Sequence, residues 1–193
     1  MTAAIAPVAV PLAKAYRLLN HGPVTLVSSA SGERSNVMAA AWAMPLDFDP
    51  PKVAVVIDKI ALTRQLVEAS GEFALNLPSW RLAAETLKVG QLSGKSGDKW
   101  EAVGLDSFPA EKIAAPLVAG CVGWLECKVI PEPVNENRYD LFLAEVVAAW
   151  ADPRVFQDGR WVFDHADESL RTLHYVAGGH FFATGQAINV TGD

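Results

Sequence analysis

The chain has 193 residues, a net charge of −6 and an isoelectric point near 5.2, which fits one domain spanning residues 1–193 and excludes the cationic surface that phosphate-backbone binding needs. Hydrophobic residues make up 51% and mean hydropathy is +0.18, high for a lone domain, yet no apolar run reaches the roughly 18 residues of a membrane span. The surplus points to a buried subunit face, so a self-associating protein is expected, with neither nucleic acid nor membrane as partner.

The N-terminus, Met1-Thr2-Ala3-Ala4-Ile5-Ala6-Pro7, has no basic segment and meets Pro7 and Pro11 before an adequate apolar core. It does not read as a secretory signal, and the expected location is cytoplasmic. Leu12 to Leu19 has a short helical pattern, Gly22-Pro23 punctuates, and Val24 to Ser29 reads as a strand. The turn Ser31-Gly32-Glu33-Arg34 predicts a hairpin whose return strand runs from Ser35 to Ala43. Asp49-Pro50-Pro51 enforces extended backbone and leads into Lys52 to Ile57, a continuous apolar strand of the kind buried on both faces. Thr63 is expected to cap a short helix through Ala69, stopped by Gly71, and Glu72 to Leu77 alternates as a strand ended by Pro78. Helical spacing from Trp80 to Val89 is followed by a polar loop from Gly90 to Trp100. Long strands are expected at Cys121 to Pro131 and Tyr139 to Trp150, joined by a polar turn at Asn135-Glu136-Asn137, with a further turn at Asp158-Gly159. The aromatic, glycine-rich tail from Leu173 to Phe182 is too apolar to hang free. This order of elements predicts a mainly β fold, an antiparallel split β-barrel with Greek-key connections and short peripheral helices.

Five features bear on chemistry. The run Arg34-Ser35-Asn36-Val37-Met38-Ala39-Ala40-Ala41-Trp42-Ala43-Met44-Pro45 is a strand with almost no side-chain bulk that ends in a large aromatic. Such a ribbon exposes its backbone to a flat, hydrogen-bonding ligand, with Trp42 as an apolar wall; the alternative is an ordinary buried strand facing a helix. Gly94-Lys95-Ser96 resembles the end of a phosphate loop, but Gly90 stands one residue too close and a helix precedes it, which rejects a P-loop. Cys121 and Cys127, six apart on one strand, are expected on the same face, reduced, and too far apart for a disulfide. His21, His165, His174 and His180 show no ligand spacing with those thiols, so no metal site is expected. Asn189-Val190-Thr191 matches a glycosylation sequon and, without export, reads as a chance tripeptide.

Asn36-Val37-Met38-Ala39-Ala40-Ala41-Trp42-Ala43, Pro50-Pro51, Thr63, Ser93-Gly94-Lys95-Ser96-Gly97-Asp98-Lys99-Trp100 and Leu125-Glu126-Cys127-Lys128, in this order, resemble the flavin reductase-like proteins with an FMN-binding split barrel, flavoredoxin-type members included. The resemblance covers most of the chain. It implies a homodimer with FMN near the subunit interface, NADH or NADPH as co-substrate, and a redox partner protein or an oxygenase as onward acceptor. Carried over by position, Asn36 and the backbone of Val37, Met38, Ala39 and Ala41 meet the ring's polar edge and Trp42 its apolar end. Thr63 and Lys99 meet the phosphate, with Lys59, Arg64, Ser93 and Lys95 as further polar candidates. Tyr175, His180 and Phe181 would gate nicotinamide access, and no side-chain acid or base is required. Three positions depart from the pattern: Ala39 stands where a hydroxyl residue is common, Tyr139 where histidine is, and Asp58 where a basic residue is. The implied activity is an NAD(P)H:FMN oxidoreductase; the alternatives are a flavoredoxin-like electron carrier and a non-catalytic barrel.

Overall fold

The structure, a computed structural model, describes residues 6–190. The leader reading and Thr191 of the sequon therefore fall partly outside the described residues. In chain order the elements are β1 (Val8–Ala9), α1 (Leu12–Ala15), β2 (Thr25–Ser31), β3 (Arg34–Ala40), β4 (Ala43–Phe48), β5 (Pro51–Val56), α2 (Leu62–Ser70), β6 (Glu72–Pro78), α3 (Ala83–Gln91), α4 (Lys99–Val103), β7 (Ser107–Phe108), β8 (Leu117–Val118), β9 (Cys121–Ile130), α5 (Pro133–Tyr139), β10 (Leu141–Ala151), β11 (Phe156–Gln157), β12 (Arg160–Trp161), β13 (Leu173–Ala177) and β14 (His180–Ala183).

The main sheet runs β3-β2-β6-β9-β10-β5-β4, every pairing antiparallel, with β1 added beside β10. Its end strands, β3 and β4, are joined by only Ala41 and Trp42. The three steps from Ala40 to Ala43 span at most about 11 Å, so the sheet has to curl until its ends come close. That curl makes a barrel, and the unzipped seam between β3 and β4 is the split. Inside lie Val27, Ala40, Ala43, Val53, Val55, Phe73, Leu75, Leu125 and Phe142. A second cluster, with Leu26, Val37, Val89, Leu117 and Trp124, lies on the opposite face beneath α3 and α4. The antiparallel split barrel expected from the sequence is thus the fold found.

Four local readings are corrected. The return strand stops at Ala40, and a bend at Ala41-Trp42 starts β4, hidden in the sequence because Pro45 sits inside it. Pro is tolerated there because β4 is an edge strand with no outer neighbour to serve. The polar turn at 135–137 is helix α5, begun by Pro133 at its first position and closed by Asp140 in the left-handed region, with φ of 56°. The Glu136 carboxylate accepts from the Glu132 N–H at 2.8 Å, which caps the helix start. Cys121 and Cys127 fall in different clusters on opposite faces, because the register shift opposite Leu77 and Pro78 makes Val122 an extra residue and reverses the alternation beyond it. Both thiols are free, and burial pushes both well up from the ordinary thiol range. Finally, α2 starts at Leu62 with Ala61 as its cap residue and no side-chain cap, so Thr63 lies one position inside the helix.

The C-terminal hairpin β13-β14 is pinned to the barrel by a polar chain. His21 Nε2 pairs with Thr172 Oγ1 at 2.7 Å, and Thr172 Oγ1 pairs with Thr184 Oγ1 at 2.6 Å. The His21 ring meets Trp161, Phe163 and His174 edge-on. Burial, followed by the field of His174, pushes its pKa down to about 4. A depressed native pKa leaves stability intact above the unfolded value of about 6.5 and removes it as pH falls toward 4, by up to about 3 kcal/mol. Urea midpoints should therefore drop between pH 7 and 4.5, and His21→Gln should flatten that slope. Parallel losses in both proteins would show that His21 is not the group responsible.

Candidate functional site

β3 is an end strand, bonded to β2 on one side only, so the peptide groups of its outer edge face the split. Toward the corner the side chains shrink to Ala39, Ala40 and Ala41; Ala39 is half-buried and Ala41 exposed. Trp42 at the corner is 75% exposed, so the indole is not a core residue. Two depressions flank this ribbon and share Ala39, Ala40, Ala41 and Tyr175 as a common wall. The wider one, about 610 Å³, reaches Met38, Trp42, Asp58, Tyr139 and Asp140. The smaller, about 330 Å³, lies between α3 and the C-terminal hairpin.

At the other end of β3, Asn36 Nδ2 donates to Thr63 Oγ1 at 2.8 Å, with both residues buried. This bond ties the first turn of α2 to the ribbon. The first amides of α2 carry no side-chain cap, although Leu62, Thr63 and Arg64 are all buried. Gly94 presses the loop of residues 93–96 against this corner: a Cβ there would sit 2.2 Å from Asn36 Oδ1 and 3.0 Å from Leu62 Cδ2. The close approach leaves Ser93 and Lys95 exposed beside the corner, and Lys59 exposed in the turn before α2.

Two expected cations are engaged elsewhere. Lys99 is 7% exposed and its Nζ donates to the Val89 carbonyl at 2.9 Å, serving the last turn of α3; burial pushes its pKa down. Arg64 is buried on the far side of α2, where its guanidinium meets Glu68, Asp140 at 3.0 Å, the Ile57 carbonyl at 3.3 Å and the Glu136 carbonyl at 3.0 Å, and lies 4.7 Å from the Phe142 ring centre. A guanidinium in that network holds α5 to the barrel and is not presented to a phosphate. Periodicity marks Arg64 only as a helix residue; Asp140, its partner, had no signal in the sequence.

In the tail, Tyr175 and Phe181 both wall the smaller depression, with ring centres 5.3 Å apart. His180 is exposed and outside both depressions, so it does not share their gating position. The hairpin turn takes Gly178 and Gly179 through φ of 57° and 86°. A Cβ on Gly179 would meet Leu87 of α3 at 3.3 Å, so glycine lets the hairpin close against the helix. Sequence reasoning missed Thr86 and Leu87, whose helical spacing is that of any amphipathic helix. Asp58 lines the wider depression, where its Oδ1 accepts from the Ile60 N–H at 2.9 Å.

The frame of the site is thus an antiparallel split barrel whose open strand β3 is flanked by two depressions. The flavin reductase like domain matches residues 17–179, and the chain belongs to that family. It is similar to the FMN-binding domain of a flavin reductases-like enzyme from Shewanella baltica OS155, with a TM-score of 0.94 and 49% identity over 96% of this chain and 98% of that one. It is also similar to the flavoredoxin of Desulfovibrio vulgaris (Miyazaki F), with a TM-score of 0.75 and 25% identity over 87% and 89% of the two chains. In sequence, the uncharacterized protein YddH of Escherichia coli (strain K12) is 41% identical over 182 residues, 93% of this chain and 95% of its own length. Among the described residues no helix is long and apolar enough to cross a membrane.

Proposed function

We propose that this chain binds FMN along the open edge of β3 and works as an NAD(P)H:flavin oxidoreductase. The observation that carries the reading is the ribbon itself, a strand edge with unpaired peptide groups, stripped of side-chain bulk, between two depressions and ending at an exposed indole. Fixed peptide donors and acceptors suit the polar edge of a flavin ring because they are ordered before the ligand arrives.

The donor set fits the phosphate end as well. Uncapped amides of α2, with Ser93, Lys95 and Lys59 around them, offer hydrogen bonds and positive charge at one corner. Asp58, in the turn before α2 and on the wall of the wider depression, adds a negative charge that weakens the hold on an anion there. The Asn36–Thr63 pair acts by positioning, holding the corner in register with the ribbon. Bound there, FMN supplies a ring that exchanges a hydride with nicotinamide, and the chain's share is orientation and exclusion of water.

A second copy of the chain is the occupant proposed for the exposed face of β4. Met44, Leu46 and Phe48 alternate outward along this edge strand, and Trp42 and Ile60 are exposed as well. An uncovered apolar edge of that kind aggregates unless a partner covers it. Purified protein is thus expected to sediment at twice 20.7 kDa.

The test is spectroscopic. FMN at about 100 times its dissociation constant should stabilise the protein by roughly 2.7 kcal/mol, and anaerobic NADH or NADPH should bleach the visible flavin band within the mixing experiment. Protein that neither gains stability with FMN nor oxidises a pyridine nucleotide in its presence would refute the proposal. The similarity to a flavoredoxin favours one second reading, an electron carrier. In that case FMN binds, but only dithionite or a partner protein reduces it.

A further inference from the structure

A third cavity, of about 340 Å³, shares no residue with the two depressions at the seam. It lies between β10, the residue ahead of β1 and the segment that follows β7, and its lining includes Pro7, Phe108, Pro109, Glu111, Glu126 and Trp150. Rings and carboxylates dominate that set, and no cationic side chain belongs to it.

Glu126 is fully buried on β9. Its Oε1 accepts from Trp150 Nε1 at 2.7 Å and from the Glu111 N–H at 3.0 Å, and its Oε2 accepts from the Lys112 N–H at 2.6 Å. These donors satisfy the oxygens and cancel no charge. Among the described residues no cationic side chain forms an ion pair with Glu126. Lys112, exposed beside it in the chain, has its ammonium on Glu111 at 2.7 Å. A carboxylate answered only by neutral donors in a buried setting keeps a strong local field.

The aromatic walls are fixed from behind. Trp150 is held by its bond to Glu126, and Phe108 meets Trp124 edge-on with ring centres 5.7 Å apart, while Trp124 Nε1 donates to the Val118 carbonyl at 2.9 Å. The rings are therefore ordered before a ligand arrives. An acceptor on the indole N–H also polarises the ring, which makes its face a better partner for positive charge. A metal ion does not suit this place, because it needs oxygen ligands in contact and the Glu126 oxygens are sealed from the cavity. A cation whose charge is spread over methyl groups needs only ring faces and the field.

We propose that this cavity binds a small organic cation with a trimethylammonium head, seated against Trp150 and Phe108 in the field of Glu126 and Glu111.

Choline is the probe, and dimethylbutanol, in which a tert-butyl group replaces the trimethylammonium group, is its uncharged match. Calorimetric titration at low salt should show choline binding at least about tenfold more tightly than the alcohol. Phe108→Leu, which keeps the apolar bulk, should weaken choline about threefold, and Glu111→Gln about twofold. FMN affinity should be unchanged in both variants, since neither residue lines the seam. The comparison of the two ligands needs no variant, so a substitution that folds poorly leaves it intact. No choline binding, equal affinity for choline and the alcohol, or full choline affinity in a folded Phe108→Leu protein overturns the inference. Failure of FMN to bind bears on the functional reading alone, because the choline titration does not use the flavin site.

Discussion

Arg64→Ala is expected to lower the unfolding free energy by about 3 kcal/mol, the lower end of the range for breaking a buried charge network. The partners decide the size. Glu68 is half-exposed and an i,i+4 pair of that kind contributes no more than about 0.5 kcal/mol. Asp140, with its side chain 27% exposed, and the carbonyls of Ile57 and Glu136 lose a charged donor they cannot fully replace with water. The stacking of the guanidinium on Phe142 is lost as well. Arg64→Lys should recover little, since one ammonium cannot serve acceptors spread over α2, α5 and the β5 end with the reach of a planar fork. Urea unfolding at constant slope measures the loss. A difference under about 1 kcal/mol would mean that the network is decorative, against the energetics of buried ions. The same substitution should blunt FMN affinity, because Tyr139 and Asp140, both walls of the wider depression, hang on α5.

The barrel was legible because most of its strands announce themselves. β2, β5, β6, β9 and β10 are apolar runs bounded by Gly, Pro or polar clusters, and one pairing rule arranges them. What escaped depends on parity, partners or exposure, which a linear pattern does not carry. One extra residue at Val122 moved Cys121 to the other face. β4 was obscured because its outward residues are apolar, inverting the usual alternation. α5 was obscured because it has no apolar stripe facing the barrel and its hold there comes from Arg64, 72 positions from Glu136. In the site, the small-residue ribbon and the proximity of Asn36, Thr63 and the 93–96 loop were readable in part; the roles of Lys99 and Arg64 were not, since a cation's usefulness depends on whether its charge is already answered.

Gly94→Ala is expected to raise the dissociation constant for FMN at least tenfold, about 1.4 kcal/mol, if the corner beside α2 holds the phosphate. A methyl group at Gly94 falls 2.2 Å from Asn36 Oδ1 and 2.8 Å from its Cγ, distances that no real contact shows. Relief by turning Asn36 is closed off, because its amide is bonded to Thr63 and both side chains are buried. Relief by moving Leu62 disturbs the first residue of α2. The loop of residues 93–96 therefore lifts, taking Ser93 and Lys95 away from the helix amides, while the barrel core is untouched and the global cost stays near the 1 kcal/mol lower bound for overpacking. Gly97→Ala is the matched control: the same methyl group added three residues on meets nothing within 4 Å. Fluorescence titration of both variants separates a steric effect at the corner from a general loss of glycine freedom, and equal FMN affinities for the two would place the phosphate somewhere other than this corner.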